Sequence, residues 1–239
     1  FMRKMKGSGS YLKNQVRKNL VIASFCFFLF CLIIAAVAFS LVFAWTSVIL
    51  DFAGLLISLA PLGAFYYYLR KYRIYKGGWA GEQQVSKLLS RSLSDEYLLL
   101  NDIHLRNSSG DIDHIVLGPS GVFVLETKNW NGDITCHGDV WQRAGKPNFK
   151  SSPSFQVKRN ASKIKHIIDS SPSLNLARAC VEGIVVFTNH HANLHLNNPT
   201  VPILKLPQLA NHITSQKSAL AFTQLQLEEM AKEILKQKS

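Results

Sequence analysis

The sequence predicts an α/β domain standing behind a two-helix membrane hairpin, and three observations predict it. From Leu20 to Leu69 the chain is almost wholly apolar, interrupted by Ser24, Ser40, Thr46, Ser47, Asp51 and Ser58. After residue 77 a helical pattern gives way to a run of short alternating segments divided by Gly, Pro and Asn, as a strand meander requires. Farther on, "GIVVFTN" at 183–189 is a continuous apolar run between Gly and Asn, the pattern of a strand buried on both faces.

One bilayer crossing takes roughly 20 residues, so a run of about 50 fits two crossings, about 20–44 and 47–69, with a tight connection near Trp45, Thr46 and Ser47. A cleaved leader has an apolar core of only about 7 to 15 residues and would leave a second span unexplained. Arg3, Lys4, Lys6, Lys13, Arg17 and Lys18 precede the first span, and Arg70, Lys71, Arg73 and Lys76 follow the second. Basic residues favour the cytoplasmic side, so both termini are expected in the cytoplasm, at the cell (inner) membrane. Asp51 is tolerable only near the hairpin turn. The spans lack the paired polar residues of a transport path.

The net charge of +12 follows this topology. Ten of the 27 basic residues lie before residue 77 against one acid, a net +9; the remaining 17 basic and 14 acidic residues leave +3. Total charge therefore reports mainly contact with anionic lipid. One basic stretch stands apart: Arg143, Lys146, Lys150, Lys158, Arg159, Lys163 and Lys165 occur with no acid between them. That run is a candidate phosphate-facing surface. Cys26, Cys31, Cys136 and Cys180 have no CxxC spacing, which suggests neither a zinc site nor a disulfide framework and fits a reducing compartment.

The expected organisation is a basic segment at 1–19, the two spans at 20–69, a basic linker at 70–78, an α/β domain at 79–206 and C-terminal helices at 207–239. Gly77 and Gly78 separate the linker from a helix at 79–93. Strands are expected at 97–105, 111–117 and 122–128, with shorter ones near Ile134 and Trp141. A helix at 154–168, the 183–189 strand, a short strand at 201–206 and helices at 209–215 and 224–236 complete the chain.

Chemistry concentrates at 110–130, "GDIDHIVLGPSGVFVLETKNW". Strand side chains alternate, so Glu126 and Lys128 share one face. With a two-residue Pro119–Ser120 connection, paired numbers sum to 239 and Asp113 faces Glu126, with about 5 Å between Cβ atoms. With a three-residue loop and a bulge at Gly121, Asp113 faces Thr127 instead. Facing carboxylates repel unless a cation lies between them. Mg²⁺ or Mn²⁺ prefers hard oxygens and takes only one or two protein carboxylates, which Asp113 and Glu126 supply. A metal so placed, with Lys128 beside it, suits hydrolysis of a phosphodiester. His114, on the opposite face from Asp113, reads as a core histidine, and His190, His191 and His195 read as a loop.

The stretch "GDIDHIVLGPSGVFVLETKNWNGDI", with "AGEQ" before it and "SPSFQ" after it, resembles the NERD (nuclease-related) domain of the PD-(D/E)xK, restriction-endonuclease-like superfamily over roughly residues 81–188. The resemblance implies an αβββαβ core with a mixed central sheet flanked by helices. It implies Asp113, Glu126 and Lys128 as the catalytic set, Glu82 of the first helix as a further metal ligand, and Gln156 as a supporting residue. Nucleic acid, above all DNA, is the implied substrate, and Lys146, Lys150, Lys158, Arg159, Lys163 and Lys165 of the acid-free basic stretch are the candidate surface for it. A second copy of the chain or another protein is an implied partner, since many nucleases of the superfamily act as dimers or under a motor subunit. Two rivals stand beside the enzyme: an inactive module docking nucleic acid, and a membrane scaffold that binds protein.

Overall fold

In a computed structural model, residues 3–5, 11–43, 48–106, 108, 110–144, 152–171, 180–216 and 222–238 are described. The chain divides into two units, residues 11–79 and residues 1–10 with 80–239.

The first unit is a pair of helices. Helix α1 (Tyr11–Phe43) and the first part of α2 (Val48–Ser92), 33 and 45 residues long, are both long and apolar enough to cross a membrane. They run antiparallel: Phe27 and Phe65 meet at 5.2 Å between ring centroids, and Val37 lies against Gly54. Asp51 sits in the first turn of α2, near the hairpin's tip, where the helix dipole favours an acid. The connection expected at Trp45, Thr46 and Ser47 lies outside the described residues.

The helix boundaries differ from those expected. Helix α1 starts at Tyr11, so Lys13, Arg17 and Lys18 are helical. The break expected at Gly77–Gly78 is absent, and α2 passes through both glycines. Each glycine costs a helix about 1 kcal/mol relative to Ala, yet both keep their N–H, so the hydrogen-bonded ladder continues. A side chain at Gly78 would crowd Leu12, which packs 3.3 Å from where a Cβ would lie.

The second unit carries the rest of the fold. It contains β1 (Arg3–Met5), β2 (Leu98–Ile103), β3 (Ile112–Gly118), β4 (Gly121–Lys128), β5 (Gly132–His137), β6 (Val140–Arg143), α3 (Pro153–Asp169), β7 (Val181–Phe187), β8 (Ala192–Asn197) and β9 (Ile203–Lys205). A short 3₁₀ turn (Leu206–Gln208), α4 (Leu209–Ser215) and α5 (Gln224–Lys236) follow. The main sheet has the order β1-β2-β3-β4-β7-β9. The β2–β3 and β3–β4 pairs are antiparallel, and β1–β2, β4–β7 and β7–β9 are parallel. Helix 80–92, β2, β3, β4, α3 and β7 thus give the mixed αβββαβ order that the resemblance implies. As its apolar run requires, β7 lies inside the sheet.

Each face of the sheet is covered. On one side Val157, Ala161, Ile164 and Ile168 of α3 and Leu227, Met230 and Ile234 of α5 pack on Leu98, Leu100, Ile115, Val124 and Val185. On the other, Val85 and Leu89 of α2 and Leu209 and Ile213 of α4 pack on Leu99, Val116, Phe123, Leu125 and Ile184. The sequence did not indicate the second sheet, β6-β5-β8, in which β5 pairs with β6 antiparallel and with β8 parallel. It joins the first core through Ile134, Cys136 and Trp141, with Trp141 stacked on Phe187 at 5.9 Å. His195, expected in a loop, lies in β8 because Leu194 and Ala192 alternate inward beside it.

Candidate active site

The β3–β4 hairpin decides between the two registers that the sequence leaves open. His114 pairs with Leu125, Val116 with Phe123 and Gly118 with Gly121, so paired numbers sum to 239 across a two-residue Pro119–Ser120 connection. Gly121 has φ +134°, a conformation that disfavours any side chain. Tyr97 fixes the turn: its hydroxyl lies 3.0 Å from Ser120 Oγ, and its ring lies where a Cβ at Gly118 would be.

The end of this hairpin holds the ionisable groups. Lys128 Nζ donates to Glu126 Oε1 at 2.5 Å and reaches Gln156 Oε1 at 3.5 Å. Asp113 Oδ2 accepts from the backbone N–H of Thr127 at 2.6 Å. Gln156 arrives on the first turn of α3, which is capped by Ser152: Pro153 follows this N-cap, whose hydroxyl accepts from Phe155 N. Glu82 is brought in by α2. Gly81 beside it lacks a Cβ, and one placed there would meet Thr188 Oγ1 at 2.7 Å and Asn129 Cβ at 3.2 Å. The helix therefore approaches the strand ends as closely as a glycine allows.

The electrostatics show a cluster short of positive charge. Burial, with Glu126 and Glu82 nearby, holds Asp113 well above the usual carboxylate range against the pull of Lys128 and the Thr127 N–H. Burial also raises Glu126, opposed by the charge and hydrogen bond of Lys128 and by Arg159. Glu82, 9% exposed, is pushed up to about 8 by burial and by Asp102, Glu126 and Asp111. Burial disfavours the charge on Lys128, but Glu126 and Asp113 outweigh it and hold the ammonium protonated.

One acid of this cluster was not anticipated. Leu98 and Leu100 face the α3/α5 core and Leu99 the α2/α4 core, so strict alternation would send Ile103 with Leu99; it lies with Leu100 and Leu105 instead. Asp102 makes the reversal, with φ +53°. The pairs Asn101–His114 and Ile103–Ile112 leave Asp102 and Asp113 between them. Among the charges raising Glu82, Asp102 ranks first. The only trace in sequence is an Asn-Asp pair inside a strand pattern, two residue types that tolerate left-handed backbone. Asp111 is paired with His104 at 2.5 Å. His114 is buried with Nδ1 2.7 Å from Asn101 Oδ1, as a core histidine.

A divalent cation fits this donor set. Glu126 is 2% exposed, Lys128 engages its Oε1, and its Oε2 is buried with no hydrogen-bond partner. Asp113 similarly commits Oδ2 to the backbone, leaving Oδ1 for a ligand. Asp113 and Glu126 offer the one or two carboxylates that Mg²⁺ takes from a protein; among the described residues no group of three or more His, Cys, Asp or Glu that could hold a metal ion is found.

The basic stretch is acid-free in sequence but not in space. Lys158 binds Asp139 at 2.7 Å and Thr200 Oγ1 at 3.0 Å, Lys165 pairs with Asp169 at 3.1 Å, and Lys163 donates to Ser108 at 3.0 Å. Arg159 is exposed and acts on Glu126. Lys146 and Lys150 lie outside the described residues.

Residues 77–188 match the nuclease-related domain family, NERD, a stretch that holds Glu82, Asp113, Glu126, Lys128 and Gln156. An uncharacterized protein of Bacillus anthracis is 43% identical over 60 residues, covering 24% of this chain and 28% of that protein. The chain thus spans little more than a quarter of that relative's length. No solved structure matches.

Proposed function

We propose that this chain is a membrane-anchored nuclease whose domain faces the cytoplasm and hydrolyses phosphodiester bonds of DNA or RNA. The observation that carries the reading is the buried Glu126 Oε2, without a partner beside Asp113 and Lys128 in a nuclease-related domain. Asp113 and Glu126 would hold Mg²⁺ or Mn²⁺, with Glu82 supporting the site. Such an ion, when bound, polarises a phosphoryl oxygen and acidifies water. Lys128 is held protonated, so it acts as a donor: it orients the attacking water and offsets charge developing on the phosphate. Gln156 holds the ammonium in place from α3.

Two features support the anchor and its sense. Basic residues stand at both outer ends of the hairpin. Arg3–Met5 pairs with Leu98–Leu100, so the chain before α1 and the chain after α2 contribute to one sheet, which favours one side of the bilayer for both.

A second reading is a module that docks nucleic acid without cutting it. The test is hydrolysis by the full chain in nanodiscs, with circular DNA, linear DNA and RNA, in Mg²⁺, Mn²⁺ or EDTA. Cleavage that stops in EDTA and in Glu126→Ala and Lys128→Ala is the expected result. Binding without cleavage by folded wild type transfers the case to the docking module. Absence of both leaves a scaffold that binds protein.

A further inference from the structure

Helix α3 carries a feature its packing does not explain. Its buried side is Val157, Ala161, Ile164 and Ile168. Phe155 precedes Val157 by two residues, about 200° around the helix, and so faces away from the core. It is 60% exposed, and it is the one aromatic among the exposed large apolar side chains of the described residues in 80–238. A single exposed apolar side chain is ordinary; the neighbours of Phe155 are not. Gln156, next in the chain, reaches the Lys128 ammonium. Exposed Arg159 lies one turn on, on the same side of the helix, and acts on Glu126. The Lys158 ammonium stands 5.0 Å from the Phe155 ring centroid. From Pro153 to Ile168 the helix has no acid.

A ring and a guanidinium beside the hydrolytic groups match one nucleotide of a polyanion, with base on ring and phosphate on Arg159; the Lys158 ammonium beside the ring is already held by Asp139. In a duplex each base face is covered by its neighbours, so the ring can be used only by an unpaired or splayed base. We propose that Phe155 stacks on an unpaired base next to the scissile phosphate, making single-stranded nucleic acid the preferred substrate. This inference rests on the nuclease reading above.

The test uses the full chain in nanodiscs with EDTA present, so that binding is read without cleavage. The probes are a single-stranded 12-nucleotide DNA carrying 2-aminopurine and the same sequence as a blunt duplex. Aromatic stacking supports a loss of about 5-fold to 100-fold in single-strand affinity for Phe155→Ala, together with loss of the fluorescence quench. Duplex affinity stays within about twofold, and Phe155→Trp restores single-strand binding. Equal affinity of wild type and Phe155→Ala for the single strand, or an equal loss for the duplex, overturns the inference alone if wild type still binds and cuts. Quenching of the Phe155→Trp indole by brominated lipid without nucleic acid assigns the ring to the membrane and overturns it too. Wild type that binds neither probe overturns the nuclease reading along with it.

Discussion

Replacing Glu82 by Gln tests whether the carboxylate cluster is held together against its own repulsion. Glu82 is raised from an ordinary 4.5 to about 8, first by burial and then by Asp102, Glu126 and Asp111. A carboxyl whose pKa is higher in the folded state binds its proton more tightly there. Its contribution to stability is therefore fully present below about pH 4.5 and is lost as pH rises towards 8. The loss runs at about 1.4 kcal/mol per pH unit, about 5 kcal/mol over the whole window. Asp113 and Glu126 are raised in the same direction and steepen the slope. Gln keeps the shape and cannot ionise. Glu82→Gln should match wild type near pH 5 and exceed it by several kcal/mol near pH 8, read as melting temperature of the full chain in detergent at fixed ionic strength with EDTA. The same pH slope in both proteins would refute the burial and crowding assigned to Glu82. Mg²⁺ should flatten the wild-type slope, because a cation supplies the missing charge.

Two further substitutions probe how the site is positioned and what supports it. Gly81→Ala places a Cβ 2.7 Å from Thr188 Oγ1, so the last part of α2, from residue 80 on, must shift and carry Glu82 with it. Single-turnover cleavage should fall more than about tenfold while melting falls only a few degrees, and unchanged cleavage would show that Glu82 has no part in the chemistry. Phe187→Ala removes a side chain 1% exposed that packs on Trp130 at 6.0 Å and Trp141 at 5.9 Å. The expected loss is about 3–5 kcal/mol, seen as a drop in melting temperature of about 10 °C; a drop under 2 °C would contradict the packing described.

What the sequence revealed and what it hid follow from the range of the forces involved. The Gly-Pro-Ser-Gly turn and the period-2 pattern on either side are local, so the β3–β4 hairpin and the shared face of Glu126 and Lys128 are legible from residues alone. Helices α4 and α5 were expected over the residue ranges they occupy, because their apolar spacing and flanking residues are local as well. The choice between two registers was not legible, since either loop length is compatible with the same residues; the Tyr97 hydroxyl on Ser120, 23 positions away, helps fix it. Asp102 is not legible in the sequence because its backbone reverses against the strand pattern around it. The run through Gly77–Gly78 escaped for the opposite reason: glycine propensity argued for a break, while the intact hydrogen-bonded ladder and the close approach of Leu12 kept a helix. The parallel pairing of β5 with β8 joins segments some 60 residues apart, beyond any local pattern. The basic stretch misled in the same way, because Asp139 lies outside it in sequence and against Lys158 in space.

The most direct test of the central claim is cation binding at the hairpin end, measured by Mn²⁺ electron paramagnetic resonance on the full chain. Wild type should bind Mn²⁺ with release of protons, since Asp113, Glu126 and Glu82 are all raised towards their protonated forms. Asp113→Asn and Glu126→Gln should each weaken binding by tenfold or more and abolish cleavage, with the melting temperature kept or raised. Mn²⁺ binding that is absent in wild type, or equal in all three proteins, would contradict the account.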